Sequence, residues 1–181
     1  MKSSLASKSL LLDIEKISEQ KLVAVGEYGH ILLSEDGDKW FQADVPVQTT
    51  LTAVSFYSET LGWAVGHDAT ILHSHDGGMS WQIQYYQPEI EKPLLDIIFK
   101  SPKEGIAIGA YGLVLRTIDG GNTWQKELHD EFLSLDDKDY LEELRLEDTA
   151  AYDDEVSFIL PHFNRLVRDN NTLFILGEVG L

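Results

Sequence analysis

The sequence contains no cysteine, and its 14 lysine and arginine residues are outnumbered by 31 aspartate and glutamate residues. Without cysteine, the 181-residue chain can form neither a disulfide framework nor a thiolate metal site. Its formal net charge of −17 repels phosphate backbones, so we expect no nucleic acid partner. No window approaches the roughly 20 apolar residues of a membrane-spanning helix, so we expect no membrane insertion.

The first residues also lack the apolar region of a signal peptide. They contain only three consecutive leucines, Leu10 to Leu12, whereas a secretory signal carries about 7 to 15 apolar residues. We therefore expect no export signal in this segment. What the chain does contain is the composition of a folded protein, with 43% hydrophobic and 10% aromatic residues.

One sequence pattern occurs three times along the chain and begins a fourth time. An apolar alternating run ends in glycine, turns, resumes, and closes on a Ser/Thr-x-Asp-Gly turn followed by tryptophan. The copies are residues 22–40, 61–81, 105–124 and, incompletely, 173–181. The steps from Gly26 to Gly66 and from Gly66 to Gly109 are 40 and 43 residues, which is the period of propeller blades. The next step, to Gly177, is 68 residues, so roughly 25 residues have been inserted.

Each copy predicts four short antiparallel strands, because apolar residues alternate and glycine or polar turns separate the runs. Sheets repeated in this way indicate an all-β fold, a β-propeller of four-stranded blades. The predicted parts are blades at 9–45, 51–86 and 94–128, an acidic insertion at 126–155, and half a blade at 158–181 with 158–167 as its first strand. Propellers close with about 4 to 8 blades. We therefore expect the chain to belong to a longer protein, or to self-associate through its open edges.

The insertion is the most acidic part of the chain, with 13 acidic and 3 basic residues in 126–155. Ser134 and Asp137 have the pattern that begins a helix, and Leu141 with Leu144 forms a thin apolar stripe at helical spacing. We expect one short helix within a solvated loop. The alternative is a surface that attracts a basic segment of a partner.

The closing turns match the Asp-box motif S/T-x-D-G-G-x-T/S-W, although the first copy is one residue short. In such a turn the aspartate accepts hydrogen bonds from backbone amides, glycine adopts left-handed conformations, and tryptophan covers the hairpin. A residue repeated in every blade cannot be the single catalyst, so we predict structural roles and no catalytic residue. The residues concerned are Ser34, Asp36, Trp40, Ser74, Asp76, Gly77, Trp81, Thr117, Asp119, Gly120 and Trp124.

Together with the Asp-boxes, the segments VAVGEYGHILLS, GWAVGHDATILHS and IAIGAYGLVLRT resemble the photosystem II assembly and stability factor family of neuraminidase-repeat propellers. The resemblance implies a seven-bladed propeller, usually exported, that acts without catalysis or cofactor as a platform for a protein partner such as a membrane-complex subunit. Photosynthetic members are similar in carrying arginine just before the Asp-box Ser/Thr in several blades. That position holds Leu33, His73 and Arg116 here, so the resemblance implies a non-photosynthetic bacterial relative.

A carbohydrate-active enzyme is the alternative, because sialidases share the Asp-box. Such enzymes resemble one another in an arginine triad that grips a carboxylate, a tyrosine nucleophile with a glutamate partner, and an aspartic acid that donates a proton. The arginines of this chain are Arg116, Arg145, Arg165 and Arg168. Only Arg116 is expected on a repeat strand, so we predict no such triad.

The turn that follows the first glycine of each copy is the predicted contact surface. In a ring these turns lie on one face near the channel, and loops on one face of a repeat protein are its usual binding surface. The predicted partner-binding residues are Glu27, Tyr28, His67, Asp68, Tyr111 and Arg116, with Glu178 and Val179 at the fourth equivalent position. His67, His73 and His75 lie close together, but the other copies supply no further ligands, so we expect no metal site.

Overall fold

The computed structural model describes residues 8–170 and 172–178. Within them, three antiparallel sheets of four strands follow one another, and a two-stranded hairpin ends the series. Blade one consists of β1 (Leu11–Lys16), β2 (Leu22–Gly26), β3 (Ile31–Ser34) and β4 (Phe41–Gln42). Blade two consists of β5 (Leu51–Phe56), β6 (Gly62–Gly66), β7 (Thr70–Ser74) and β8 (Gln82–Tyr85). Blade three consists of β9 (Leu94–Phe99), β10 (Gly105–Gly109), β11 (Val114–Thr117) and β12 (Gln125–Glu127).

Two helices separate blade three from the final hairpin. They are α1 (Leu135–Glu147) and α2 (Thr149–Ile159), and the hairpin, called the half-blade below, consists of β13 (Phe163–Asp169) and β14 (Thr172–Gly177). In every sheet the strands lie in chain order, and the first strands β1, β5, β9 and β13 lie beside one another. This is the arrangement of a propeller, and the prediction of a partial β-propeller is confirmed.

Consecutive blades pack through apolar faces that recur at equivalent positions. Between blades two and three, the Trp63 ring is stacked on that of Phe99, with centroids 3.5 Å apart, and is also stacked on the imidazole of His73, at 4.6 Å. Trp63 is only 1% exposed. Between blades one and two, Val23 takes the place of Trp63 and packs with Phe56 and other apolar residues in one cluster. Blade two, which has a neighbour on each side, therefore buries both of its faces, as expected for stacked repeats.

The glycine that ends each second strand is explained by a close approach of the chain. A Cβ atom on Gly66 would lie 2.1 Å from the carbonyl oxygen of Thr50, and one on Gly109 would lie 2.2 Å from that of Pro93. Any side chain would push the first strand of the same blade away. The spacing of these glycines in the sequence thus reports the contact between the first two strands of each blade.

The insertion differs from the expectation of one helix. Ser134 does begin α1, because its hydroxyl oxygen accepts a hydrogen bond from the Asp137 amide at 3.1 Å. Asp148 then begins a second helix by accepting from the amides of Ala150 and Ala151. This helix continues to Ile159, so the prediction that the half-blade starts at Phe158 was wrong, and its first strand starts at Phe163.

The two helices pack on a small apolar cluster of their own. Leu133, Leu141 and Leu160 are its buried members, and partly buried apolar residues of α2 surround them. The contacts of Val156 and Ile159 with this cluster explain why the end of α2 is helical, although its apolar residues were predicted to begin a strand. None of the helices in the described part of the chain is long and apolar enough to cross a membrane.

Candidate partner-binding site

The predicted contact turns adopt the same backbone conformation in all three blades. Tyr28, Asp68 and Tyr111 have φ values of 58°, 58° and 52°, in the left-handed region that non-glycine residues seldom occupy. Tyr28 is 67% exposed, and Glu27 accepts a hydrogen bond from the Leu10 amide at 2.9 Å. His67 is exposed as well. The first two turns therefore present their side chains at the surface.

The third turn is covered by the insertion. The ring of Tyr111 lies 5.6 Å from that of Phe158 in α2 and 4.3 Å from the imidazole of His162. Lys92 is buried beside them, with its ammonium group 5.6 Å from the Tyr111 ring centroid, and burial, with a smaller contribution from Lys126, lowers its pKa to about 8. Tyr111 is consequently half-buried. Of the fourth equivalent pair, Val179 lies outside the described residues.

Arg116 is separated from these turns. It lies near the end of β11 that leads into the Asp-box, whereas Tyr111 precedes the opposite end of that strand. The Arg116 Nε donates a hydrogen bond to Glu127 Oε1 at 2.6 Å, and this bond holds the pKa of Glu127 below its ordinary value. The structure thus divides the predicted partner-binding residues between the two ends of the sheets.

A groove of ≈390 Å³ lies beside Arg116, between blade three and the half-blade. Its apolar lining comes from Ile98, Ile106, Ile118 and Leu173, and its basic lining comes from Lys100, Arg116 and Arg168. Lys100 is paired with Glu104 at 2.8 Å, and Arg168 donates from Nε to the carbonyl of Asn170 at 3.0 Å. Glu104 also lines the groove, so three cations and one carboxylate surround the apolar side chains, in contrast with the net charge of −17 of the whole chain.

The Asp-box aspartates of blades two and three have their carboxylate oxygens occupied within the turns. Asp76 accepts from the Ser80 amide at 3.0 Å, the Ser80 hydroxyl at 2.6 Å and the Ser74 hydroxyl at 2.8 Å. Partial burial alone would raise the pKa of Asp76, but these hydrogen bonds outweigh it and lower the pKa. The equivalent bonds from Thr123 and Thr117 lower the pKa of Asp119 to about 2. Both carboxylates are therefore fixed anions that tie their hairpins.

The first Asp-box is held by a different set of hydrogen bonds. Asp36 accepts from the amides of Asp38 and Lys39 at 3.0 and 2.8 Å and from the Ser34 hydroxyl at 3.4 Å, but the shorter turn offers no counterpart of the Ser80 hydroxyl. The remaining motif residues support the same hairpins. Gly77 and Gly120 have φ values of 72° and 77°, and the Trp81 indole donates to the Gly78 carbonyl at 3.0 Å.

The neighbouring histidines do not form a metal centre. The His73 ring lies 3.9 Å from that of His75, while His73 Nδ1 lies 3.0 Å from the Gln84 side-chain amide. Burial, with a smaller contribution from His75, lowers the pKa of His73 to about 4. Among residues 8–170 and 172–178, no group of three or more His, Asp or Glu side chains is placed to hold a metal ion.

A cluster of charged residues lies between the first strands, and sequence reasoning missed it. Asp13, Glu15 and Asp96 each accept a hydrogen bond from a backbone amide of the next first strand, at 3.0, 2.7 and 2.7 Å. Arg165 reaches back from β13, with Nε 3.5 Å from Asp96 and Nη1 3.9 Å from Asp13. Burial raises the pKa of Glu15 to about 7 and also raises that of Asp96. We call this set the channel cluster.

The position of Arg165 in the channel cluster also corrects the expectation about which arginines lie on repeat strands. Arg165 and Arg168 both lie on β13, a repeat strand, contrary to the expectation that only Arg116 would. The signal was present, because Asp13 and Asp96 interrupt otherwise apolar runs in LLLDIEK and LLDIIF. A charge at such a position indicates a buried partner. Here most of the hydrogen bonds to these carboxylates come from backbone amides, and a sequence pattern does not reveal such donors.

Asp-box hairpins tied by their own aspartates, in sheets whose first strands are adjacent, define the class of Asp-box repeat β-propellers. Within it, the family model described as photosynthesis system II assembly factor YCF48 matches residues 32–89 and 83–160. The chain belongs to this family, as its sequence motifs predicted, and is a photosystem II assembly factor-like β-propeller.

Curated relatives and solved structures agree with this assignment. The photosystem II assembly protein Ycf48 of Synechococcus sp. (strain JA-3-3Ab) is 34% identical over 82 residues, covering 44% of this chain and 20% of that protein. That of Synechococcus sp. (strain JA-2-3B'a(2-13)) is 45% identical over 47 residues, covering 25% of this chain and 14% of that protein. The chain thus matches only a small part of the length of these relatives.

A structure described as YCF48 bound to D1 peptide is 26% identical with a TM-score of 0.58, covering 65% of this chain and 40% of that chain. YCF48 from Cyanidioschyzon merolae is 23% identical with a TM-score of 0.55, covering 69% of this chain and 42% of that chain. An ancestral GH74 enzyme has a TM-score of 0.55 at 15% identity, covering 65% of this chain and 18% of that chain. The last two likenesses concern the fold alone.

Proposed function

We propose that this chain is a non-catalytic binding platform that takes up a segment of a membrane-complex subunit in the groove beside Arg116. The observation that carries the proposal is the groove itself, which combines apolar side chains with Lys100, Arg116 and Arg168. Arginine recognises carboxylates through paired hydrogen bonds, and apolar walls add affinity by excluding water. The partner segment is accordingly one that carries both carboxylate and apolar side chains.

A similar propeller supports the choice of a peptide ligand. The solved relative of highest TM-score cited above is described as bound to a D1 peptide, and we propose that this chain binds a subunit segment of comparable size. The partner need not be D1, because only one of the three positions that precede an Asp-box carries arginine here. A non-photosynthetic complex remains our prediction for the biological partner.

The arrangement of the arginines argues against the carbohydrate-active alternative. Arg116 and Arg168 line the groove, but Arg165 contacts Asp96 and Arg145 pairs with Glu142 at 2.9 Å on α1. No tyrosine is among the groove residues, and the Asp-box carboxylates of blades two and three are held inside their turns. A triad with a tyrosine nucleophile is thus not assembled in the described part of the chain.

The exposed first and second turns offer a second region for the same partner, through Tyr28 and His67.

Self-association is a further expectation, because both outer sheets expose apolar side chains. Ile14 is 57% exposed on blade one, and Phe174 and Leu176 are 49% and 54% exposed on the half-blade. Sedimentation over a range of concentrations would test it, and a monomer throughout would reject it.

The test of the proposed function is peptide binding by the 181-residue chain. A fluorescently labelled D1 peptide and a panel of acidic, apolar peptides are titrated with the protein and with the double variant Arg116→Ala/Arg168→Ala. We expect the variant to bind at least tenfold more weakly, and binding by the unaltered protein to weaken as salt is added. Arg145→Ala is the matched control, since it removes an exposed arginine from α1.

Two results would contradict the proposal. The first is binding that the groove variant leaves unchanged. The second is hydrolysis of a glycoside by the purified protein, because it would place the chain with the carbohydrate-active propellers.

A further inference from the structure

Helix α1 packs through one side only. Leu141 lies in the apolar cluster shared with α2 and is buried, and Leu144, three residues later, is half-buried. Leu135 and Leu146 of the same helix are 80% and 78% exposed, more than any other large hydrophobic side chain in the described part of the chain. The packing of the insertion therefore uses the first two leucines and leaves the other two in water.

The two exposed leucines lie on the same side of α1. A single exposed leucine is common on protein surfaces, but these two are 11 residues apart. This spacing places them within about 20° of each other around the helix axis and about 16 Å apart along it. Asp139, Glu142 and Glu143 lie between them on the same side and are exposed as well. We call these five residues the outer face of α1, a row of carboxylates with a leucine near each end.

Most of the negative charge on the outer face of α1 is not neutralised by the protein itself. Glu142 pairs with Arg145 at 2.9 Å, but Asp139 and Glu143 have no ion pair within residues 8–170 and 172–178. The helix as a whole carries six acidic and two basic side chains. Because like charges at this spacing repel one another, cations brought to the outer face lower the electrostatic free energy.

The charge of the outer face limits the partners that can cover it. Nucleic acid and an anionic lipid surface are repelled by its carboxylates. A second copy of the chain brings its own net charge of −17, so charge disfavours self-association at this face as well. A basic protein segment is attracted, and apolar side chains on that segment can exclude water from both leucines. Because the leucines are about three helical turns apart, a helix lying along α1 matches their spacing.

We propose that the outer face of α1 is a docking surface for a basic amphipathic helix of a partner protein. The apolar stripe of that helix covers Leu135 and Leu146, and its lysine or arginine side chains pair with Asp139 and Glu143. The leucines supply apolar contact, while the carboxylates select a basic partner and speed its association. The surface belongs to the insertion, whereas the groove lies beside Arg116, so this inference goes beyond the proposed function and does not depend on it.

The probe is a synthetic peptide of about 20 residues, a length at which an isolated helix can form in water. Its leucines recur every three or four residues along one side, and lysines flank them. A second peptide carries glutamate in place of every lysine, and a third has the composition of the first in scrambled order. Each labelled peptide is titrated with the 181-residue protein. We expect the first peptide alone to bind, to bind more weakly as salt is added, and to slow hydrogen exchange at the amides of 135–147.

Substitution of the two leucines tests the apolar part of the surface. Leu135→Ala/Leu146→Ala should weaken binding of the lysine peptide at least tenfold, because it removes most of the apolar area that the complex buries. Thermal unfolding should be unchanged, since neither side chain is packed in the free protein. Met79→Ala/Ile83→Ala is the matched control, because these side chains are exposed on blade two, and it should bind the peptide like the unaltered protein.

Substitution of the unpaired carboxylates tests the charged part. Asp139→Asn/Glu143→Gln should weaken binding about three- to tenfold and should reduce its dependence on salt. Glu19→Gln/Glu59→Gln removes the same charge from exposed positions of blades one and two and should change neither quantity by as much.

Three results would overturn the inference. They are binding that Leu135→Ala/Leu146→Ala leaves unchanged, equal binding of the glutamate peptide, and slowed exchange elsewhere in the protein but not at 135–147. If the free protein forms a dimer that Leu135→Ala/Leu146→Ala abolishes, a second copy is the occupant and the inference also fails.

Discussion

The second strand of blade three and the second strand of the half-blade carry closely similar sequences in different surroundings. GIAIG of β10 is buried at every residue, whereas LFILG of β14 is mostly exposed. Both form a strand that pairs with the one before it. The apolar pattern thus encodes the strand, and burial depends on whether a neighbour covers it. Stability should therefore be concentrated where blades are covered on both sides.

The largest expected change in stability comes from replacing equivalent aromatic residues in a covered sheet and in an open sheet. Trp63→Ala should lower the free energy of unfolding by about 3–5 kcal/mol, because it removes a fully buried indole. Phe174→Ala, at the same position of the half-blade, should cost about 1 kcal/mol or less, because its side chain is already half in water. Denaturant titrations of both variants measure the two losses, and equal losses would contradict the comparison.

A smaller effect is expected from the aspartates that tie the hairpins. Asp76→Ala removes hydrogen bonds to the Ser80 and Ser74 side chains and to the Ser80 amide, and should cost about 1–2 kcal/mol. Asp36→Ala should cost less, since Asp36 accepts from no counterpart of the Ser80 hydroxyl and its bond from the Ser34 hydroxyl is long, at 3.4 Å. The same titrations rank the two variants. A greater loss of unfolding free energy in Asp36→Ala than in Asp76→Ala would show that the complete Asp-box does not stabilise its hairpin more than the shorter one.

The last expected effect is confined to a range of pH and comes from the channel cluster. The pKa of Glu15 is about 7 in the folded chain against 4.5 for the free side chain, so the folded state binds the additional proton. Its contribution to stability is then fully present below about pH 4.5 and is lost as the pH rises through about 7. Asp13, Asp96 and Arg165 are the charged groups that face it.

Glu15→Gln should flatten this part of the stability profile between pH 5 and 8, measured by urea unfolding at closely spaced pH values. Glu19→Gln is a suitable control, because Glu19 is exposed and follows β1. A profile in Glu15→Gln that still falls over this range would show that another group of the channel cluster carries the dependence.

The repeat made the fold predictable, because tryptophan and glycine recur at the spacing of blades and their roles are local. Three features depended on tertiary contacts instead. Residues 149–159 form α2 because Asp148 caps it and its apolar residues meet Leu133 and Leu141, partners that no alternation pattern reveals. Similarly, the carboxylates of the channel cluster are satisfied by amides of distant strands, and the groove exists because two sheets meet beside it.

Helix α2 covers Tyr111, and this contact makes the third turn different from the equivalent turns of the other blades. Three turns with the same backbone conformation would otherwise present three equivalent surfaces, each related to the next by the rotation from one blade to the following blade. Because Phe158 and His162 cover the third turn, the first two turns are the accessible ones among the three described turns. The irregular insertion thus distinguishes one of three positions that the repeats alone would make equivalent.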